Sequence, residues 1–242
     1  MKKTLILLMA LAGANISNAA SVAWNAFNDT GVINTGTVST AAALPIGSWV
    51  QIGYFKTLSD ATVTADAATV AGTAALAADF YTFGSLQISA NGTSTPNSGL
   101  GAAGPGGWQQ LTNNFSYASN PTFIAGHQAY FWVMNSTNNS SLSAAEASVT
   151  QQAIFTLPSW TFPASDISGQ KNFDISDLSS ASRNMLFGSY ISGANNTNLT
   201  AAGFASTNNA VQLATVTAAP EPSRALLLGV SFGIFLIRRR RR

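Results

Sequence analysis

The chain carries few residues able to do chemistry. His127 is the one histidine and there is no cysteine, so neither a His-rich nor a thiolate metal site can be assembled. A Ser-His-Asp triad needs a serine held by a base that is itself oriented by an acid. No G-x-S-x-G is present, and His127 follows Gly126 just ahead of an apolar-aromatic run, which predicts a turn or strand-edge histidine. Asp166, Asp174 and Asp177 form the one loose acidic cluster, in DISGQKNFDISD. Its order is not that of a calcium loop, and Asp174 and Asp177 are equally suited to capping a turn or short helix. No carboxylate pair is marked out for glycoside hydrolysis. The expectation is a protein that is not an enzyme, with no catalytic, cofactor-binding or metal residue to assign.

Binding residues are more plentiful. Trp108, Tyr117, Trp132 and Trp160 could stack on sugar rings, but aromatics are 10% of the chain and a β core needs them too. Asn-x-Ser/Thr triplets start at Asn28, Asn91, Asn114, Asn135, Asn138, Asn139, Asn195 and Asn198. In a chain so rich in Ser, Thr and Asn most of these arise by chance.

Charge narrows the partners. Eight of the 11 Lys and Arg lie at the two ends, leaving Lys56, Lys171 and Arg183 between residues 20 and 219. Against them stand Asp29, Asp60, Asp66, Asp79, Glu146, Asp166, Asp174 and Asp177, a net of −5. Three cations neutralise few phosphates, so nucleic acid is excluded as a partner. The body is long enough to bury a core at roughly 70% of its unfolded surface, and without disulfides that core must supply the stability.

The elements positioning these residues read as β. Short apolar runs between Gly, Pro, Asn and Ser clusters predict strands at Val22–Phe27, Trp49–Phe55, Phe83–Ile88, Ala129–Asn135, Ala153–Leu157, Met185–Ile191 and Val211–Val216. Ala129–Asn135 is apolar on both faces, which predicts a central strand covered on both sides or one aromatic face set against a neighbouring element. Residues 58–80 are alanine-rich, with Ser59-Asp60 placed as an N-cap and Gly72 interrupting, so one or two short helices are expected there. Residues 91–107, with six glycines and two prolines, read as a mobile loop. The fold class expected is mainly β: a β-sandwich or jelly-roll-like domain over 20–219 with a short helical insertion, flanked by an N-terminal signal peptide and a C-terminal hydrophobic helix.

The ends are addresses. Met1-Lys2-Lys3, the apolar run Leu5–Ala14 and Ser17-Asn18-Ala19 make a signal peptide over 1–19, cut between Ala19 and Ala20. This directs the chain through the Sec translocon. At the other end, 220–242, Pro220-Glu221-Pro222 precedes an apolar segment, 225–237, and then Arg238, Arg239, Arg240, Arg241 and Arg242. The prolines impose an extended entry. The 13 apolar residues would make a helix of about 20 Å at ~1.5 Å per residue, short for a hydrocarbon core of about 30 Å. The arginines form a stop on the cytoplasmic side.

These residues, about 23 of 242, resemble the PEP-CTERM sorting signal of Gram-negative bacteria. The resemblance implies that Pro220, Glu221 and Pro222 are the triplet recognised by an exosortase, that 225–237 is a transmembrane segment in the inner membrane, and that Arg238 to Arg242 are the basic end. It implies tail cleavage and release to the cell surface or an exopolysaccharide matrix. The short apolar segment favours a temporary handle over a permanent anchor. The function expected is structural or interaction work at the cell surface. The alternatives are a carbohydrate-binding module-like surface protein and a plain single-pass anchored protein without processing.

Overall fold

A computed structural model describes residues 20–26, 30–33, 44–88, 103–104, 107–115, 126–164, 170–192 and 209–218. These residues are mainly β, with a few short helices and no closed barrel.

In chain order the strands are β1 (Ala20–Ala26), β2 (Thr30–Ile33), β3 (Trp49–Phe55), β4 (Phe80–Gln87), β5 (Ala103–Gly104), β6 (Gly107–Phe115), β7 (Gln128–Ser136), β8 (Val149–Thr161), β9 (Gln170–Asp174), β10 (Asn184–Phe187), β11 (Ser189–Ser192), β12 (Asn209–Gln212) and β13 (Ala214–Thr215). The helices are α1 (Asp60–Asp66), α2 (Val70–Asp79) and α3 (Leu142–Ala147), with a 3-10 turn at Ile175–Ser179.

The main sheet runs β10-β8-β7-β3-β4, and β13 pairs with β8 beyond β10. It is antiparallel throughout. A second sheet runs β5-β6-β1-β9 and a third β11-β12-β2. Two pairings are parallel, β1 with β9 and β12 with β2, and both join segments far apart in the chain.

The apolar pattern of β7 explains the layering. Ala129, Phe131 and Val133 join one buried cluster, while Trp132 and Met134 join another on the opposite face. As expected for a strand apolar on both sides, β7 sits inside the sheet between β8 and β3. The first face packs on Val22 and Trp24 of β1, Phe173 of β9, Val32 of β2 and Val211 of β12. The second lies under the helices through Val63, Ala67, Leu76 and Ala145. Each large apolar side chain so buried contributes roughly 1.5–3 kcal/mol.

The alanine-rich stretch makes two short helices, as read from its composition. Ser59 caps α1 by accepting from the Thr62 N–H, and Thr69 caps α2 by accepting from the Gly72 N–H. Gly72 is needed there: a Cβ on it would lie 2.2 Å from the Asp66 carbonyl oxygen where the helices meet.

Several expectations are corrected. The stretch 91–107 is not a loop throughout, since Ala103 and Gly104 pair with Trp108 and Gly107. Backbone hydrogen bonds need no side chain, so a glycine-rich stretch can enter a sheet when a neighbour is presented. The single strand expected at Met185–Ile191 is two: Gly188 has φ +83°, and β10 and β11 diverge into different sheets around it. β8 is far longer than Ala153–Leu157. β2, β6, β9 and α3 were not expected.

β8 also carries a bulge. Tyr130 faces Thr156 but Gln128 faces Thr161, so extra β8 residues are accommodated over two residues of β7. The Gln128 side-chain amide holds this bulge, donating to Thr156 Oγ1 (2.7 Å), to the Leu157 carbonyl and to the Trp160 carbonyl (2.9 Å). Pro158 and Ser159 are exposed and Trp160 turns into the core beside Phe131, with ring centroids 5.2 Å apart.

Candidate functional site

The helix-covered face of the main sheet is where polar chemistry concentrates among the described residues. Its strands alternate apolar residues with glutamines: Trp49, Gln51 and Phe55 on β3, Trp132 and Met134 on β7, Gln152 and Ile154 on β8. Gln51 and Gln152 are fully buried. A buried amide is tolerable when its hydrogen bonds are made, and both side chains are placed to make them.

Gln152 accepts from Trp132 Nε1 at 2.7 Å and donates to the Ala67 carbonyl at 2.7 Å and to Thr73 Oγ1 at 3.0 Å. One side chain thereby ties the sheet to the turn after α1 and to the interior of α2. Gln51 accepts from Thr82 Oγ1 at 2.7 Å and donates to Glu146 Oε1 at 3.0 Å. This makes a line across three elements: hydroxyl on β4, amide on β3, carboxyl on α3. Thr82 and Glu146 are half-buried. Burial pushes the Glu146 carboxyl above its ordinary range, and the hydrogen bond from Gln51 offsets this only in part.

Two further groups brace the helices. Asp60 accepts from Tyr130 Oη and from Asn184 Nδ2, both at 2.7 Å, joining α1 to β7 and β10. Burial first, then the hydrogen bond and charge of Asp60, push the Tyr130 phenol above its ordinary range. Asp79, closing α2, accepts from Thr57 Oγ1 and from the N–H groups of Thr57 and Leu58. Burial would raise its carboxyl, but those hydrogen bonds, helped by the Lys56 charge, hold it below its ordinary value.

The residues singled out from sequence scatter. His127 lies just before β7, as the turn or strand-edge reading expects, with its ring 4.3 Å from that of Tyr54. Asp174 caps the 3-10 turn by accepting from the Ser176 N–H, and Asp177 is exposed within that turn. Among the described residues no three His, Asp or Glu stand together as metal ligands. Trp132 and Trp160 are core residues, 0% and 2% exposed, and so cannot form a sugar platform. Trp108 lies in β6 opposite Ala26.

Of the triplets between β7 and α3, Asn135 donates to Gln151 and Asn139 to the Ser136 carbonyl. Asn138 is exposed, and its Oδ1 accepts from the Ser140 N–H. Asn114 lies in β6. Ala20 opens β1. Ala19, Asn28, Asn91, Tyr117, Asp166, Asn195, Asn198, Pro220, Glu221, Pro222, the segment 225–237 and Arg238 to Arg242 fall outside the described residues. Among the described residues no helix is long and apolar enough to cross a membrane.

Sequence reading missed Gln51, Thr82, Glu146 and Gln152. One signal was available: a glutamine amid apolar residues within a strand, as in WVQIGYF, marks a polar group that must find partners. Fold and site together define a mainly β domain whose central sheet carries helices on one face through buried amides. No protein-family model, curated protein or solved structure matches the chain.

Proposed function

We propose that this is an exported protein of the cell surface or exopolysaccharide matrix, doing structural or interaction work and processed at its tail by an exosortase. The observation that carries this reading is Pro220-Glu221-Pro222 followed by the apolar segment 225–237 and five arginines, in a chain that opens with a signal peptide. A hydrophobic run before a basic cluster would by itself serve an ordinary anchor; the triplet at that offset and the leader together favour sorting. The apolar run of about 20 Å, at ~1.5 Å per residue, suits a temporary hold on the inner membrane.

What is known of the body agrees with that role. Its stability comes from two aromatic-rich clusters and buried amide hydrogen bonds, with no cysteine on which redox conditions could act. Asp60, Asp79 and Asp174 are occupied in bracing helices and turns. We read the second sheet packed on the main one as a β-sandwich of jelly-roll kind, with the helices on its outer face. The engagement of those carboxylates and the strand-edge position of His127 favour a non-catalytic role.

The test is intact-mass and fractionation analysis of the native protein in cells with and without their exosortase. The expected result is a chain lacking residues 1–19 and ending near Pro222 in the surface fraction, with the tail retained in the membrane when exosortase is absent. Persistence of 223–242 in both strains would replace sorting with a plain membrane anchor.

A further inference from the structure

The line Thr82–Gln51–Glu146 has the parts of a self-contained acyl transfer. Thr82 Oγ1 sits 2.7 Å from Gln51 Oε1, so a hydroxyl is held beside an amide carbonyl. Glu146 Oε1 sits 3.0 Å from Gln51 Nε2, so a carboxyl group is held on the nitrogen that would leave. Gln51 itself is fully buried, which excludes bulk water as a competing nucleophile at its carbonyl. We propose that Thr82 and Gln51 join in an intramolecular ester, formed by the folded chain on itself, with Glu146 as the acid.

The atoms balance without any co-reactant. The Thr82 oxygen attacks Cδ of Gln51, forming the C–O bond and a tetrahedral centre. The carboxyl of Glu146 delivers a proton to Nε2, the C–N bond breaks, and ammonia departs. The Thr82 hydroxyl proton passes to Gln51 Oε1, to which it already donates, and is given up to Glu146 as the carbonyl re-forms, so the acid is regenerated. Nothing is oxidised or reduced. The products are one ester, Thr82 Oγ1 to Gln51 Cδ, and one ammonia. Because Thr82 and Glu146 are half-buried, the small neutral product has a way out, and its loss to solvent drives the exchange.

An alcohol does not attack an unactivated amide in water at a useful rate. Holding the hydroxyl within hydrogen-bond reach of the amide makes the step intramolecular; well-aligned intramolecular groups reach effective concentrations on the order of 10⁵–10⁸ M, and a positioned acid adds about 10²–10⁴-fold. A leaving amide nitrogen needs a proton donor, and burial makes the Glu146 carboxyl hold its proton more tightly than an ordinary glutamate does.

The protein contains its own controls. Gln152 and Gln128 also meet threonines, but each does so through nitrogen, donating to Thr73 Oγ1 and Thr156 Oγ1. Their hydroxyls sit on the leaving-group side, and no carboxyl is hydrogen-bonded to either amide nitrogen. Those pairs stay unreacted. An ester at Gln51 would also have a mechanical use. β4 closes one end of the β10-β8-β7-β3-β4 order, and the bond would lock it to β3 across 31 residues of chain that hold α1 and α2.

The experiment is intact-mass measurement and peptide mapping of the purified, folded full chain, at acidic pH where esters survive. The wild type is expected to weigh one ammonia less than its sequence, with the Gln51 and Thr82 peptides recovered as one cross-linked species. Mild alkali should separate them and leave a glutamate at position 51. T82V should keep the full mass. E146Q, which retains an acceptor for the Gln51 amide and should fold by circular dichroism, should form the bond about 10²–10⁴-fold more slowly. Full mass in folded wild type with separate unmodified peptides would overturn the proposal. So would ammonia loss that survives T82V. A bond formed in E146Q at the wild-type rate would remove Glu146 from it. Since the reaction needs only the folded domain, its outcome is independent of the sorting reading.

Discussion

The two faces of the main sheet solve one problem differently. On the face turned toward β1 and β9, rings meet rings: Phe131 stacks with Phe155 at 5.5 Å, and Trp160 meets Phe131 and Phe173 at 5.2 and 6.3 Å. Trp160 Nε1 is buried there without a hydrogen-bond partner. On the face under α1, α2 and α3, the helices offer mostly alanine and threonine, with Val63, Thr73, Leu76 and Ala145 as their buried contacts. Small side chains bury little area, so that layer is fastened by hydrogen bonds that Gln51 and Gln152 donate and Asp60 accepts. Packed rings resist through shape and area, whereas a helix layer held by a few amides can come away while the sheet persists.

The sharpest break in that comparison is Phe131→Ala. It removes the ring at the centre of the aromatic cluster and should cost about 3–5 kcal/mol. Urea unfolding should show the midpoint falling with the slope unchanged. Next is Gln152→Met, close in volume but unable to bond. It strands Trp132 Nε1 and the Ala67 carbonyl and leaves Thr73 Oγ1 only its bond to the Thr69 carbonyl, for which about 1–3 kcal/mol is expected. Here the readout separates the faces: amide exchange in α1 and α2 should accelerate while β1 and β9 stay protected. Equal acceleration everywhere would mean that the helix layer is not a separable unit. Smaller again is Ser59→Ala, which removes the cap bond that Ser59 Oγ accepts from the Thr62 N–H at 3.3 Å but leaves the Val63 N–H to Ser59 carbonyl bond in place, and should cost about 1 kcal/mol.

The contrast between the faces also explains what could be read from sequence. β7 was legible because both its faces are apolar, and α1 and α2 because alanine, a serine cap and Gly72 agree with one another. β6 and β9, written GWQQLTNNF and QKNFD, carry no run of apolar residues; their pairing with β1 is a non-local event that local pattern does not encode. The β8 bulge depends on one distant amide, Gln128. Apart from the glutamine set among apolar residues in WVQIGYF, the candidate site was illegible for a like reason. Glutamine and threonine are common surface residues here, and only pairing β3 with β4 under α3 brings Gln51, Thr82 and Glu146 into line.

The smallest expected effect distinguishes two carboxylates within the helix layer by sign. Burial raises the folded-state pKa of Glu146, so the folded chain holds that proton more tightly than the unfolded one. Its contribution is therefore complete below the ordinary glutamate value and declines as pH rises through the raised one. Asp79 runs oppositely: its hydrogen bonds and Lys56 outweigh burial and lower its pKa. The stability it supplies is present above the ordinary aspartate value and is lost as pH falls through the lowered one. Urea midpoints followed across the acidic range should then lose their decline on the rising side in Glu146→Gln and on the falling side in Asp79→Asn. An ester at Gln51 would remove the one hydrogen bond that lowers the Glu146 value and would leave the sign unchanged. A Glu146→Gln profile parallel to wild type would mean that α3 keeps its carboxyl in water, and the fastening of that helix would then rest on Ala145 and Ser136 Oγ, which donates to the Ala145 carbonyl at 2.8 Å.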